Sequence, residues 1–305
     1  MRRGRPLETV VRPALPVDLR LTLRVHRRGR GDPSWSIDRS GAWWHALRTP
    51  AGLARVRYGP PLGGEVPVAA WGPGADAALS NASAVLGGGD DLAGFAPGPG
   101  LVRELHRTFP GLRIGRTGAV FAALLPTVIE QKVPSDDARR SYRRLILALG
   151  EPVPGPVPLV AQPAPAVLAR TPSWAYHPFG LDMRRAGVIR YAASRADRLE
   201  EAAGMPLDAA SRRLRALPGI GAWSAAEVAM CALGDPDAVS VGDFHLPHTV
   251  SWALAGEARG NDERMLELLA PYAGHRGRVI RLIEAAGIAA PRFGPRMAVP
   301  DLTRI

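Results

Sequence analysis

Residues 217–227 read LPGIGAWSAAE, and sixteen residues further on Asp243 stands inside VGDFHLPH. Both stretches hold groups that can do chemistry. Pro218 ends a preceding helix, because the residue before a proline resists the helical region. Gly219 and Gly221 permit dihedrals closed to other residues and let the backbone approach an outside ligand. A new helix then starts at Ala222. Its first N–H groups lack internal partners and lie at the positive end of the helix dipole, a site suited to a phosphate. One helix end contributes only about 0.3–1 kcal/mol, so it positions a polyanion rather than holding it. Asp243, on the next connection, is either the N-cap of a helix near 245–255 or an anion placed to stabilise positive charge.

The rest of the chain must position these groups. Its 305 residues, 46% hydrophobic and 22% charged, suffice for two domains with real cores. Residues 1–16, rich in Arg and Pro, read as a flexible arm. LRLTLRVH, from Leu19, alternates apolar and polar residues and predicts a half-buried strand. Further strand-like pieces near 43–47, 53–58 and 66–70, with a helix ending at Gly87, predict an antiparallel sheet-and-helix domain over 17–98. From 101 to 287 the texture is helical, interrupted by the Pro-rich, irregular EPVPGPVPLVAQPAPA. The expected fold class is therefore an α+β N-terminal domain followed by an all-α domain, with an extended tail over 288–305.

The formal net charge is +11 and the pI about 11.0, an excess of base over acid that suits a polyanionic partner such as nucleic acid. Of the 39 basic residues 38 are arginine, the exception being Lys132. One cysteine, Cys231 in an apolar run, excludes a disulfide framework and a thiolate-held cluster. No stretch approaches the ~20 apolar residues of a membrane span, so the expectation is a cytoplasmic, nucleoid-associated protein. His245 and His248, with Asp243 nearby, are a weak metal pattern: Pro247 lies between them and no fourth ligand stands out.

LPGIGAWSAAEVAMCALG followed by VGD resembles the helix–hairpin–helix, Gly/Pro, Asp signature of the base-excision DNA glycosylases. The resemblance extends to FAALLPTVIEQKV, FGLDMRRAGVIRYAASRADRL and MLELLAPYAGHRGRVIRLI, and so covers roughly residues 17–287. Within that superfamily the chain is most similar to the DNA-3-methyladenine glycosylase II group.

The resemblance implies a monofunctional enzyme that hydrolyses the N-glycosidic bond of alkylated purines, 3-methyladenine foremost, in double-stranded DNA, acting as a monomer. Asp243 falls where the family places its catalytic aspartate, facing C1′ of a flipped nucleotide. Trp223 stands where bifunctional members carry a lysine, which implies hydrolysis by water without lyase chemistry. Trp223 can stack on a cationic alkylated base, or simply fill the core. Glu227, one turn beyond Trp223, and His275 are the other expected pocket residues; both depart from the aromatic residues of the group and leave hypoxanthine or oxidised guanine as alternative substrates. Gly219, Gly221, Ser224, Gln131, Lys132 and Arg276 are the expected DNA contacts, with Lys132 at the family's wedge position and Gln131 beside it to probe the widowed base. The backbone carbonyls of Arg215, Leu217 and Gly219 match a family site for a potassium or sodium ion; no cofactor is otherwise implied, and no iron–sulfur cluster. The alternative of another class is a non-catalytic helix–hairpin–helix DNA-binding module.

Overall fold

The computed structural model describes residues 5–291. Five antiparallel strands form the first sheet: β1 (Leu7–Val11), β2 (Trp35–Ile37), β3 (Trp43–Thr49), β4 (Gly52–Tyr58) and β5 (Val66–Trp71), in the order β1-β5-β4-β3-β2. The arm expected over 1–16 is thus in part an edge strand, with Leu7 opposite Ala70 and Val11 opposite Val66. The strand expected from Leu19 is a helix, α1 (Leu19–Leu23), continued by a 3-10 turn through His26. Asp18 caps it by accepting from the Leu21 N–H at 2.9 Å. The alternation misleads because Leu19 and Leu23 face the sheet core while Leu21 packs on a second core formed with the C-terminal helices. Apolar residues on both sides of a wedged helix mimic a strand's period of two.

The sheet is covered on both faces. Ala54, Val56 and Tyr58 of β4 face α2 (Ala75–Ser80) and α3 (Ala82–Val85), which replace the single helix expected there. On the other face Trp44 and Ala46 pack on a hairpin, β6 (Glu151–Val153) and β7 (Leu159–Ala161), formed by the Pro-rich segment expected to be irregular. Buried Arg55 donates to the Val153 carbonyl across that contact.

The helical part comprises α4 (Leu101–Thr108), α5 (Val120–Glu130), α6 (Ser135–Leu149), α7 (Pro165–Arg170), α8 (Met183–Ala193), α9 (Ala196–Glu200), α10 (Leu207–Arg215), α11 (Ala222–Val228), α12 (Leu246–Ala255), α13 (Asp262–Leu269) and α14 (Arg276–Ala285). Helix α5 is its axis, apolar on nearly all sides, with Val120, Leu124, Leu125, Val128 and Ile129 buried. No neighbouring residue caps it. The Glu200 carboxylate, at the end of α9, accepts from the Val120 and Phe121 N–H groups at 2.8 and 2.9 Å. Pro126 cannot donate to the Ala122 carbonyl, and Gln162 Nε2 does so instead at 3.0 Å. At the far end, buried Arg185 of α8 donates to the Ile129 carbonyl at 3.0 Å. Three remote side chains therefore set where the last residues of α5 emerge. Among the described residues no helix is long and apolar enough to cross a membrane. The tail expected beyond 288 falls outside the described residues from 292 onwards.

Candidate active site

The loop between α10 and α11 is a tight turn in which the Ile220 N–H donates to the Leu217 carbonyl at 3.1 Å. Gly219 has φ +85°, and a Cβ there would lie 2.4 Å from Val188 Cγ2. Conformation and the approach of α8 both demand glycine. Gly221 differs: its φ is −95°, it is exposed, and a Cβ would meet nothing within 4 Å. Gly219→Ala is expected to destabilise the fold by about 1–3 kcal/mol. Gly221→Ala should leave stability within about 0.5 kcal/mol of wild type, so that any loss of DNA affinity there reports how closely backbone meets ligand. Thermal melting and fluorescence anisotropy on the two variants measure this; equal melting temperatures would contradict the assignment.

Helix α11 runs on as a π-helical turn, Ala229–Leu233, before Gly234 stops it. The connection to α12 then brings back Ser240 to Asp243, where the Asp243 N–H donates to the Ser240 carbonyl at 3.2 Å. The two Asp243 oxygens have separate duties. Oδ1 accepts from the His245 and Leu246 N–H groups at 2.7 and 2.8 Å, which caps α12. Oδ2 accepts from Trp223 Nε1–H at 3.0 Å. The two readings of Asp243 therefore coexist: the cap orients the carboxylate, and the indole reaches its outer oxygen. Both side chains are partly exposed, so the pair opens to solvent.

Glu227 lies one turn along α11 from Trp223, and its Oε1 accepts from the Ser240 hydroxyl at 2.5 Å. Burial pushes the Glu227 carboxyl up to about 7, against the opposing pull of the Ser240 hydroxyl and the Arg28 guanidinium. Arg28 arrives from the loop after α1 and pairs with Glu130, the last residue of α5, at 3.3 Å. Sequence reasoning missed Arg28, Glu130 and Ser240. Glu130 and Ser240 adjoin singled-out motifs, but nothing near residue 28 points to a site some two hundred residues away.

Several expected contacts are corrected. Gln131 does not point outward: its Nε2 donates to the Gly219 carbonyl and to Ser224 Oγ, both at 2.9 Å, and so clamps α5 to the hairpin. Ser224 is buried behind that clamp and cannot reach DNA through its side chain. Arg276 is a partner of Asp237, with its Nε 2.9 Å from Oδ1, rather than a free cation. His275 is not brought to Trp223 or Asp243. Its Nε2 lies 3.1 Å from the Ala93 carbonyl, its ring is 5.1 Å from that of Phe95, and it lines a separate hollow of about 300 Å³ with Asp90, Asp91 and Pro236. Lys132 is exposed on the turn after α5 with φ +56°, the one non-glycine residue with positive φ among those described. The carbonyls expected to hold a monovalent ion fit poorly. The Gly219 oxygen accepts from Gln131 and the Leu217 oxygen from Ile220, so they are not an open set and no step is routed through an ion. His248 Nδ1 accepts from the Gly260 N–H at 3.1 Å, which takes it out of any ligand set with Asp243.

No family model matches the sequence. The fold matches that of a 3-methyladenine DNA glycosylase from Archaeoglobus fulgidus with a TM-score of 0.74, over 90% of this chain and 97% of that one at 18% identity. It also matches the 8-oxoguanine glycosylase/lyase of Clostridium acetobutylicum in complex with double-stranded DNA, with a TM-score of 0.67 over 94% and 99% of the two chains at 13% identity. The chain thus has the fold of the helix–hairpin–helix DNA glycosylases, as the sequence resemblance implied. Among curated proteins it is similar to a probable bifunctional transcriptional activator/DNA repair enzyme, AlkA, of Mycobacterium tuberculosis, 33% identical over 138 residues. That match takes in 45% of this chain and 28% of the relative.

Proposed function

We propose that the chain is a monofunctional DNA glycosylase of base-excision repair that hydrolyses the N-glycosidic bond of alkylated purines in double-stranded DNA. The observation that carries this reading is the Asp243 carboxylate, capped by α12 and bonded to the Trp223 indole at 3.0 Å. A flipped nucleotide enters between the hairpin and the turn after α5, at a cost of a few kcal/mol that a damaged pair reduces. Trp223 offers its ring to the electron-poor base. As the bond from C1′ to the base nitrogen breaks, its electron pair leaves with the base, and Asp243 stabilises the positive charge left on the sugar. Water adds to C1′ and gives up a proton to Asp243 or to solvent.

Lyase chemistry needs an amine at C1′. Position 223 carries an indole, and the chain's single lysine, Lys132, sits on the turn after α5. Its strained backbone presents that side chain outward, where it can enter the gap left by the flipped base or meet a phosphate. The open backbone around Gly221 meets the phosphates, and the arginine excess supplies the salt-dependent affinity. The polar neighbours of Trp223, Glu227 and Ser240, keep hypoxanthine and oxidised guanine as a second reading of the substrate.

The test is release of free bases from methylated duplex DNA, read by mass, alongside strand integrity before and after alkali. Alkylated purines should appear, with strand breaks only after alkali. Breaks without alkali would overturn the monofunctional reading, and DNA binding with no base release would favour a non-catalytic binding module.

A further inference from the structure

Below the Trp223–Asp243 pair lies a polar cluster that packing alone does not explain. Four segments converge there: α11 with Glu227, the Ser240–Asp243 turn, the end of α5 with Glu130, and the loop after α1 with Arg28. The Arg28 and Glu130 side chains are only 13% and 24% exposed. Their pairing is loose, at 3.3 and 3.4 Å through a single guanidinium nitrogen, and Arg28 Nε is buried with no protein partner. A buried guanidinium with an unused N–H costs stability, and such groups concentrate where a ligand completes them. Glu227 likewise spends one oxygen on Ser240 and shows no protein donor to the other.

We infer that this cluster is the floor of the base pocket and selects a 6-oxopurine, guanine-derived or hypoxanthine, over a 6-aminopurine. The inference deepens the glycosylase reading above and rests on it. A 6-oxopurine presents an O6 acceptor beside an N1–H donor; the Arg28 guanidinium donates to O6 and the Glu227 carboxylate accepts from N1–H. A 6-aminopurine such as 3-methyladenine reverses both: its amino group faces the guanidinium, and the N1 lone pair faces the carboxylate. Rejection comes from unmatched buried polar groups, the strongest form of discrimination a pocket offers. An alkylated guanine satisfies both the stack on Trp223 and the polar floor.

The charged groups around Glu227 are Arg28 from the N-terminal loop, Glu130 of α5, Glu284 of α14 and, on its own helix, Cys231. With the carboxyl titrating at about 7, its protonated form, a donor, matches the N1 lone pair of an adenine, and its ionised form matches the N1–H of a 6-oxopurine. Preference for the 6-oxopurine therefore rises with pH.

One substrate tests this. Duplex DNA methylated to carry both 7-methylguanine and 3-methyladenine is treated with wild type, Glu227→Gln and Arg28→Met at roughly pH 6 and 8, and the two released bases are quantified by mass after subtraction of spontaneous release. For wild type the ratio of guanine-derived to adenine-derived base should rise across that range. Glu227→Gln should flatten the profile, and Arg28→Met should lower the ratio by about tenfold. A flat wild-type ratio, or a wild-type slope kept by Glu227→Gln, would overturn the inference while leaving the glycosylase reading intact. No enzymatic release of either base would instead overturn the glycosylase reading. Glu227→Gln is nearly isosteric, so its profile decides the matter if melting shows that Arg28→Met does not fold.

Discussion

Asp243→Asn should keep the fold and DNA binding and lose base release by a factor on the order of 10²–10³ or more. Asn is as good an N-cap as Asp, so its oxygen can still accept from the His245 and Leu246 N–H groups and α12 stays anchored. What disappears is the negative charge beside the developing cation at C1′, together with the acceptor of the water's proton. Asp243→Ala removes the cap as well and should cost about 1 kcal/mol of stability in addition. Single-turnover excision and thermal melting of both variants, read together, separate the two duties. If Asn excised at the wild-type rate, Asp243 would be a capping residue only and the mechanism proposed here would fall.

Asp90→Ala should destabilise the protein by about 3–5 kcal/mol, the largest stability effect we expect from a residue outside the site. The Asp90 carboxylate receives Arg278 of α14 through two nitrogens, one at 3.0 Å, and Arg113 approaches to 4.0 Å. All three side chains are at most 3% exposed. Asp90 also accepts from the Ile114 N–H at 3.1 Å. Its removal leaves two guanidinium groups buried without their counter-charge. The loss falls on the seam where the Gly-rich loop after α3 meets α14, so the sheet and the C-terminal helices lose their connection together. Asp90→Asn keeps an acceptor for Ile114 and should cost less than Ala. Chemical denaturation provides the measurement; a cost for Ala below about 1 kcal/mol would show that water or a rearranged partner replaces the carboxylate.

The hairpin was legible because turn chemistry is local. Leu217-Pro218-Gly219 and Gly221 specify a tight reversal and a helix start over a few residues, and the structure has α11 begin at Ala222. The helical region and the strands over 43–71 were legible from their periods for the same reason. Asp243 was legible by its place after the hairpin, and the structure adds that one oxygen caps while the other meets Trp223. The short helix at Leu19 was not legible, since five residues between two cores carry the alternation of a strand.

His275 and Arg276 follow the same rule from the other side. Their sequence neighbourhood pointed to the pocket and to DNA, but Ala93 and Asp237 hold them elsewhere. Gln131 sat in the right motif, yet it clamps the hairpin rather than facing out. What the sequence by itself determined is what runs along the chain: the basic partner-seeking charge, the Gly/Pro turn, the order of elements and the aspartate that follows them. What only the tertiary structure decided is which distant charges meet beneath Trp223. Arg28, Glu130 and Glu227 are brought together by the packing of α1, α5 and α11 on separate cores, and such convergence leaves no spacing signal in the chain because desolvation and pairing act through space.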